Sequence, residues 1–73
     1  MRLSLASTSK IVHLDGVPAR CWEGVTDEGV AVIAFITRIA VKAESDQTAF
    51  EKELNSHAAP SAEVASFPLR MIL

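Results

Sequence analysis

A chain of 73 residues, with 7 Lys and Arg against 9 Asp and Glu and 49% apolar residues, has room for one hydrophobic core, because so short a chain buries only about 60% of the surface it exposes when unfolded. Its single cysteine, Cys21, excludes an intrachain disulfide, and its longest apolar run, Val30 to Ile36, falls far short of the ~20 residues that span a bilayer as a helix. The formal charge of -2 argues against a generic nucleic-acid coat, and the high apolar share points to self-association as a way to bury it.

The opening segment is apolar only in short pieces, broken by Ser4, Ser7, Thr8 and Ser9, which does not suit a secretory leader. With the lone thiol, this points to the reducing cytoplasm. Leu3 and Leu5 fall on odd positions and Val12 and Leu14 on even ones. One uninterrupted strand would turn these pairs to opposite faces, so one extra residue between Ser7 and Ser9, a β-bulge, is expected to bring them to the same side.

Asp15-Gly16 then stands between two runs of strand formers. This pair suits a two-residue hairpin turn, in which both residues take positive φ. Strands are predicted over 10–14 and 17–25. Next, Thr26-Asp27-Glu28-Gly29 reads as a hairpin loop ending on a left-handed glycine. A third strand over 30–41 follows, favoured over a buried helix by its β-branched residues.

After Val41 the pattern changes. Ser45 or Asp46 can cap a helix over 46–57 whose narrow apolar stripe is Phe50, Leu54 and His57 or Ala58. Pro60 stops it. Ser61 to Ala65 adds one helical turn, and the alternation of Phe67, Leu69, Met71 and Leu73 predicts a last strand at a sheet edge, where Pro68 is tolerated. No repeat or linker divides the chain, so 1–73 reads as a single α+β domain. Its expected architecture is an antiparallel three- to four-stranded β-meander with one helix packed on one face, in the order β-β-β-α-β.

The two turns set registers that can be followed across the sheet. Leu14 falls opposite Val17, Val12 opposite Ala19, Ile11 opposite Arg20, Thr26 opposite Val30, Cys21 opposite Phe35 and Arg20 opposite Ile36. One face then collects Val12, Leu14, Val17, Ala19, Cys21, Ile33, Phe35, Ile39 and Val41, the expected core side, with Phe50 and Leu54 of the helix expected to cover it. The second face collects Ile11, His13, Pro18, Arg20, Trp22, Val32, Ala34, Ile36, Arg38 and Lys42. An open meander is usually polar on its second face. This one is aliphatic, carries a Trp and has only positive charges.

Specific chemistry is harder to find. Cys21 reads as a small buried hydrophobe with no histidine beside it, and His13 and His57 have no further ligand at metal spacing. Glu51 and Glu53 share their helix with Lys52 and read as a solvated face rather than an acid/base pair. The serines lack a nucleophile context, and Gly16, Gly24 and Gly29 serve turns or a strand irregularity, not a phosphate loop. The apolar ending Met71-Ile72-Leu73 could serve a carboxylate-capturing partner but reads better as a terminal strand. No enzyme, metal or cofactor is expected.

The block Asp-Gly-Val-Pro-Ala-Arg-Cys-Trp-Glu-Gly at 15–24, the segment Phe-Ile-Thr-Arg-Ile-Ala-Val at 35–41 and the ending from Pro60 to Leu73 resemble small uncharacterised proteins encoded in phage and prophage genomes. That resemblance implies binding of a host or phage macromolecule and assigns no site residue. The residues themselves give the same expectation: a non-enzymatic interaction protein, a homodimer or a binder of another protein, working through Ile11, Arg20, Trp22, Ile36, Arg38 and Lys42. An apolar patch rimmed by charge marks an interaction site, and Trp with Arg is enriched at binding hot spots. The alternative is a small single-stranded nucleic-acid binder in which Trp22 stacks on a base and the basic groups meet phosphates.

Overall fold

The computed structural model describes residues 1–68. Three antiparallel strands, β1 (Leu3–Leu14), β2 (Val17–Thr26) and β3 (Ala31–Ile36), form one open sheet in the order β1-β2-β3. Two helices follow, α1 (Gln47–Leu54) and the single turn α2 (Ala62–Ala65). This is the expected small α+β meander. Of the expected last strand, Phe67 and Pro68 are in no regular element, and positions 69–73 lie outside the described residues.

Local chemistry builds both hairpins. Asp15 and Gly16 sit at φ 52° and 81°, the double positive-φ turn that matches the twist of the flanking strands. Gly29, also at φ 81°, closes the second loop. There the Thr26 N–H donates to the Val30 carbonyl at 2.9 Å, and the Gly29 N–H donates to the Thr26 carbonyl at 3.0 Å. Every cross-strand pair expected from these turns is present.

β3 is shorter than the predicted 30–41, and Pro18 explains where it stops. The Thr26–Val30 bond makes Arg20 and Ile36 a hydrogen-bonded pair two steps at a time along the ladder. The next such pair would be Pro18 with Arg38, and proline has no N–H to give. Ile39 and Val41 therefore leave the sheet before they can join the core side.

The bulge in β1 differs from expectation by one residue. Between the pairs Ser7–Trp22 and Ile11–Arg20, β1 takes four steps and β2 takes two, so two residues are in excess. An even excess preserves side-chain parity. Leu3 and Leu5, opposite Thr26 and Gly24, therefore join the Trp22 face instead of Val12 and Leu14. The bulge is tied down at several points. Buried Thr8 donates its hydroxyl to the Cys21 carbonyl at 2.7 Å and accepts the Lys10 N–H at 3.3 Å, while its own carbonyl accepts from Arg20 Nη1 at 2.8 Å.

The outer side of the same bulge turns the chain over. Ser9 N–H donates to the Ala58 carbonyl at 2.8 Å and Ala58 N–H to the Ser7 carbonyl at 3.1 Å, a single parallel bridge on the edge of β1. Before Ala58 the chain runs on the Trp22 side, where Phe50 and Leu54 of α1 share a concavity with Trp22. After it, Val64 of α2 joins the core of Val12, Ala19 and Cys21, against which Leu14, Ile33 and Phe35 pack. The expected cover is thus reversed. The stripe of Phe50 and Leu54 lies on the second face, and the core side is closed by α2 and by Phe67, whose ring centroid is 6.3 Å from that of Phe35.

Both helices are capped by side chains. Asp46 accepts the Ala49 N–H at 3.0 Å at the start of α1, and Asn55 ends the helix earlier than position 57. Ser61 accepts the Val64 N–H at 3.2 Å at the start of α2. Charges then hold α2 at both ends. The Glu23 carboxylate accepts from the Ser61 hydroxyl at 2.6 Å and its N–H at 3.0 Å, and Lys10 Nζ donates to the carbonyls of Val64 and Ala65 at 2.7 and 2.8 Å. An anion at the N-terminal end and a cation at the C-terminal end are the signs that backbone dipoles favour.

Two outcomes follow for stability. A Cβ at Gly24 would collide with the Ser4 carbonyl oxygen and lie 2.9 Å from Leu5 Cα, both backbone, so Gly24→Ala should cost at least about 2 kcal/mol in urea unfolding as the two strands are forced apart. The Ser61 hydrogen bonds hold the Glu23 carboxyl below its ordinary value of 4.5. A group whose pKa is lowered by folding stabilises the fold above its unfolded value and loses that contribution as pH falls through the folded one. Below pH 4.5 the urea midpoint should therefore drop, and Glu23→Gln should make that drop shallower.

Candidate functional site

On the second face, α1 stands off the sheet with none of its residues buried and leaves an open concavity of about 440 Å³. Its floor is sheet. Ile11, Arg20 and Ile36 form one row across three strands, and Ser7, Trp22 and Ala34 the next. Residues directly opposite share a face, so Trp22 is flanked by two small side chains that leave room for its indole. Pro18 completes the floor, Thr37, Arg38 and Ile39 form the rim just beyond β3, and Phe50, Glu53 and Leu54 of α1 form the opposing wall.

Five of the six expected site residues, Ile11, Arg20, Trp22, Ile36 and Arg38, come together here. Lys42 does not. The sheet ends at Ile36, and Lys42 lies in the turn before α1, where its carbonyl accepts the Ser45 N–H at 3.0 Å. Sequence reasoning missed Phe50, Leu54 and Glu53, because it assigned the helix stripe to the other face. It missed Ile39 as well, placing it on the core side. The signal that could have moved them was the second face itself, too apolar to remain uncovered by a helix in so small a protein.

Electrostatically the site is mixed. The Arg20 guanidinium, half-buried, is held by the Thr8 carbonyl and serves the bulge as much as the concavity. Arg38 is exposed at the rim, and Glu53 is exposed on the wall. Ile11, Ile39 and Leu54 are 44%, 42% and 51% exposed, which is a large apolar surface for three residues gathered round one opening.

Other candidate chemistry is dispersed. Cys21 is 1% exposed, in the core on the other face, and burial raises its thiol pKa. Among the described residues no group of three His, Cys, Asp or Glu is placed to hold a metal ion. His13 sits opposite Pro18 near the first turn and does not line the concavity. No helix among the described residues is long and apolar enough to cross a membrane. No protein-family model, curated protein or solved structure matches this chain.

The state of Cys21 gives a direct check on the core. Because the protonated thiol is the unreactive form and the side chain is enclosed, an aromatic disulfide reagent should label native protein at neutral pH at least about a hundredfold more slowly than urea-unfolded protein. Equal rates would mean that the α2 side opens readily.

Proposed function

We propose that this chain is a non-enzymatic, self-associating interaction protein that docks a macromolecular partner into the concavity between α1 and the sheet. One observation carries the reading: the only tryptophan lies on the floor of an apolar opening whose rim bears an exposed arginine. Aromatic and arginine anchors in a concave apolar setting dominate binding energy at protein interfaces. The partner best suited to it is a protein segment that inserts an apolar side chain over Trp22 and sets a carboxylate beside Arg38. A lone buried thiol suits the cytoplasm for such work, and a phage-encoded binder of a host or phage macromolecule would have this kind of surface.

Nucleic acid is the less favoured occupant. Glu53 stands in the wall that a phosphate backbone would have to pass, Lys42 lies outside the lining, and one aromatic ring offers a single stacking platform.

The test places a photo-crosslinking amino acid at Leu54, on the wall, and a control at Asp27, in the distant loop, and compares adducts formed in cells. The expected result is one discrete protein adduct from position 54 that is lost on Trp22→Ala or Arg38→Glu, each weakening the interaction about tenfold or more. Adducts that survive both substitutions, or equal capture from position 27, would overturn the assignment. In parallel, Trp22 fluorescence should be unchanged by oligothymidylate at low salt. Quenching that fades as salt is added would instead favour the nucleic-acid reading.

A further inference from the structure

The geometry points to a second surface, the outer edge of β3, as the seam through which two copies of this chain pair into one continuous sheet. This specifies the self-association in the reading above but does not depend on what occupies the Trp22 concavity.

In the β2–β3 ladder Arg20–Ile36, Trp22–Ala34 and Gly24–Val32 are the hydrogen-bonded pairs, in step with Thr26–Val30. Ala31, Ile33 and Phe35 therefore turn their N–H and C=O groups outward. Among the described residues nothing pairs with them. The strand is Ala-Val-Ile-Ala-Phe-Ile: no charge, no proline and no bulge, the devices by which natural edges are kept from pairing. The other edge of the same sheet has such devices. β1 is bulged at Thr8–Lys10, and Ala58 covers the bulge. One edge is interrupted at its middle and one is left fit for a partner strand.

Symmetry then selects the register. Two copies of β3 related by a two-fold axis run antiparallel, and outward-facing residues must meet outward-facing residues. The arrangement that uses all three within the strand sets Ile33 against Ile33 of the second copy and Ala31 against Phe35. Each of these pairs exchanges both of its N–H···O bonds. On the core side the large Phe35 then lies beside the small Ala31, on either side of the Ile33 pair, and on the other side Val32 lies beside Ala34. A two-fold edge sets residues near its axis against their own copies, so that a charge there would meet a like charge; β3 carries none.

Sedimentation of the full chain across a concentration series, with amide hydrogen exchange, tests the seam. The expected result is a monomer–dimer equilibrium, with protection of the Ala31, Ile33 and Phe35 amides rising with protein concentration. Ala31→Pro removes an outward N–H and no bond to β2, so it should abolish the dimer and leave the fold intact by circular dichroism. Trp22→Ala should leave the dimer constant unchanged, which separates this seam from the partner site. A monomer at every concentration, or a dimer that tolerates Ala31→Pro, would overturn the inference. So would protection of these amides that is independent of concentration, as when positions 69–73 pair with the edge within one chain.

Discussion

The architecture depends on the two-residue bulge at the middle of β1. Because its excess is even, it leaves the side-chain alternation of β1 undisturbed and sends Leu3 and Leu5 to the same face as Trp22. It presents the backbone of Ser7 and Ser9 to Ala58, and that bridge is the point at which the chain crosses from one face of the sheet to the other. Within it, Thr8 binds the Cys21 carbonyl, Arg20 binds the Thr8 carbonyl, and Lys10 reaches over the core face to the end of α2. A bulge leaves peptide groups unpaired in its own ladder, and a buried unpaired group costs about 1–3 kcal/mol. Here side chains from β1 and β2 and the backbone of Ala58 take up that role.

The two faces that result are unlike in kind. The core face is small and closed, with Val12, Ala19, Cys21 and Val64 buried and a charge clamp of Glu23 and Lys10 on the turn that covers them. Among the described residues these four are the buried apolar ones, and the polar clamp fixes where α2 sits on them. The Trp22 face is broader and less complete. Its helix supplies Phe50 and Leu54 as a wall but buries neither, and the sheet below is left partly open. A surface held in that condition is suited to a partner, because the apolar contact it lacks internally can be made at an interface.

Arg20 connects the two properties. It is a member of the candidate site and also a structural donor to the bulge, so the geometry that fixes the fold also fixes part of the floor of the concavity. Arg38, by contrast, owes its place at the rim to a missing donor: β3 ends where Pro18 would have to supply an N–H, and the chain after Ile36 turns to form the margin of the opening. That same early end leaves β3 at six residues, none of them charged.

What the sequence by itself determined was local and pairwise. Asp15-Gly16 and the glycine-ended loop at Gly29 admit few backbone conformations, and each turn, once made, dictates which residues oppose one another for the length of its hairpin. The row of Ile11, Arg20 and Ile36, the neighbouring Trp22 and the capped start of α1 at Asp46 were legible for that reason. Only the tertiary structure decided the size of the bulge, the end of β3 and the assignment of α1 and α2 to opposite faces. A stripe as narrow as Phe50 and Leu54 is equally at home on either of two apolar faces. The choice is made by the bridge at Ala58 and by the contacts of Glu23, Lys10 and Val64, which lie 38 to 55 residues apart along the chain from the groups they bind and leave no periodic trace in it.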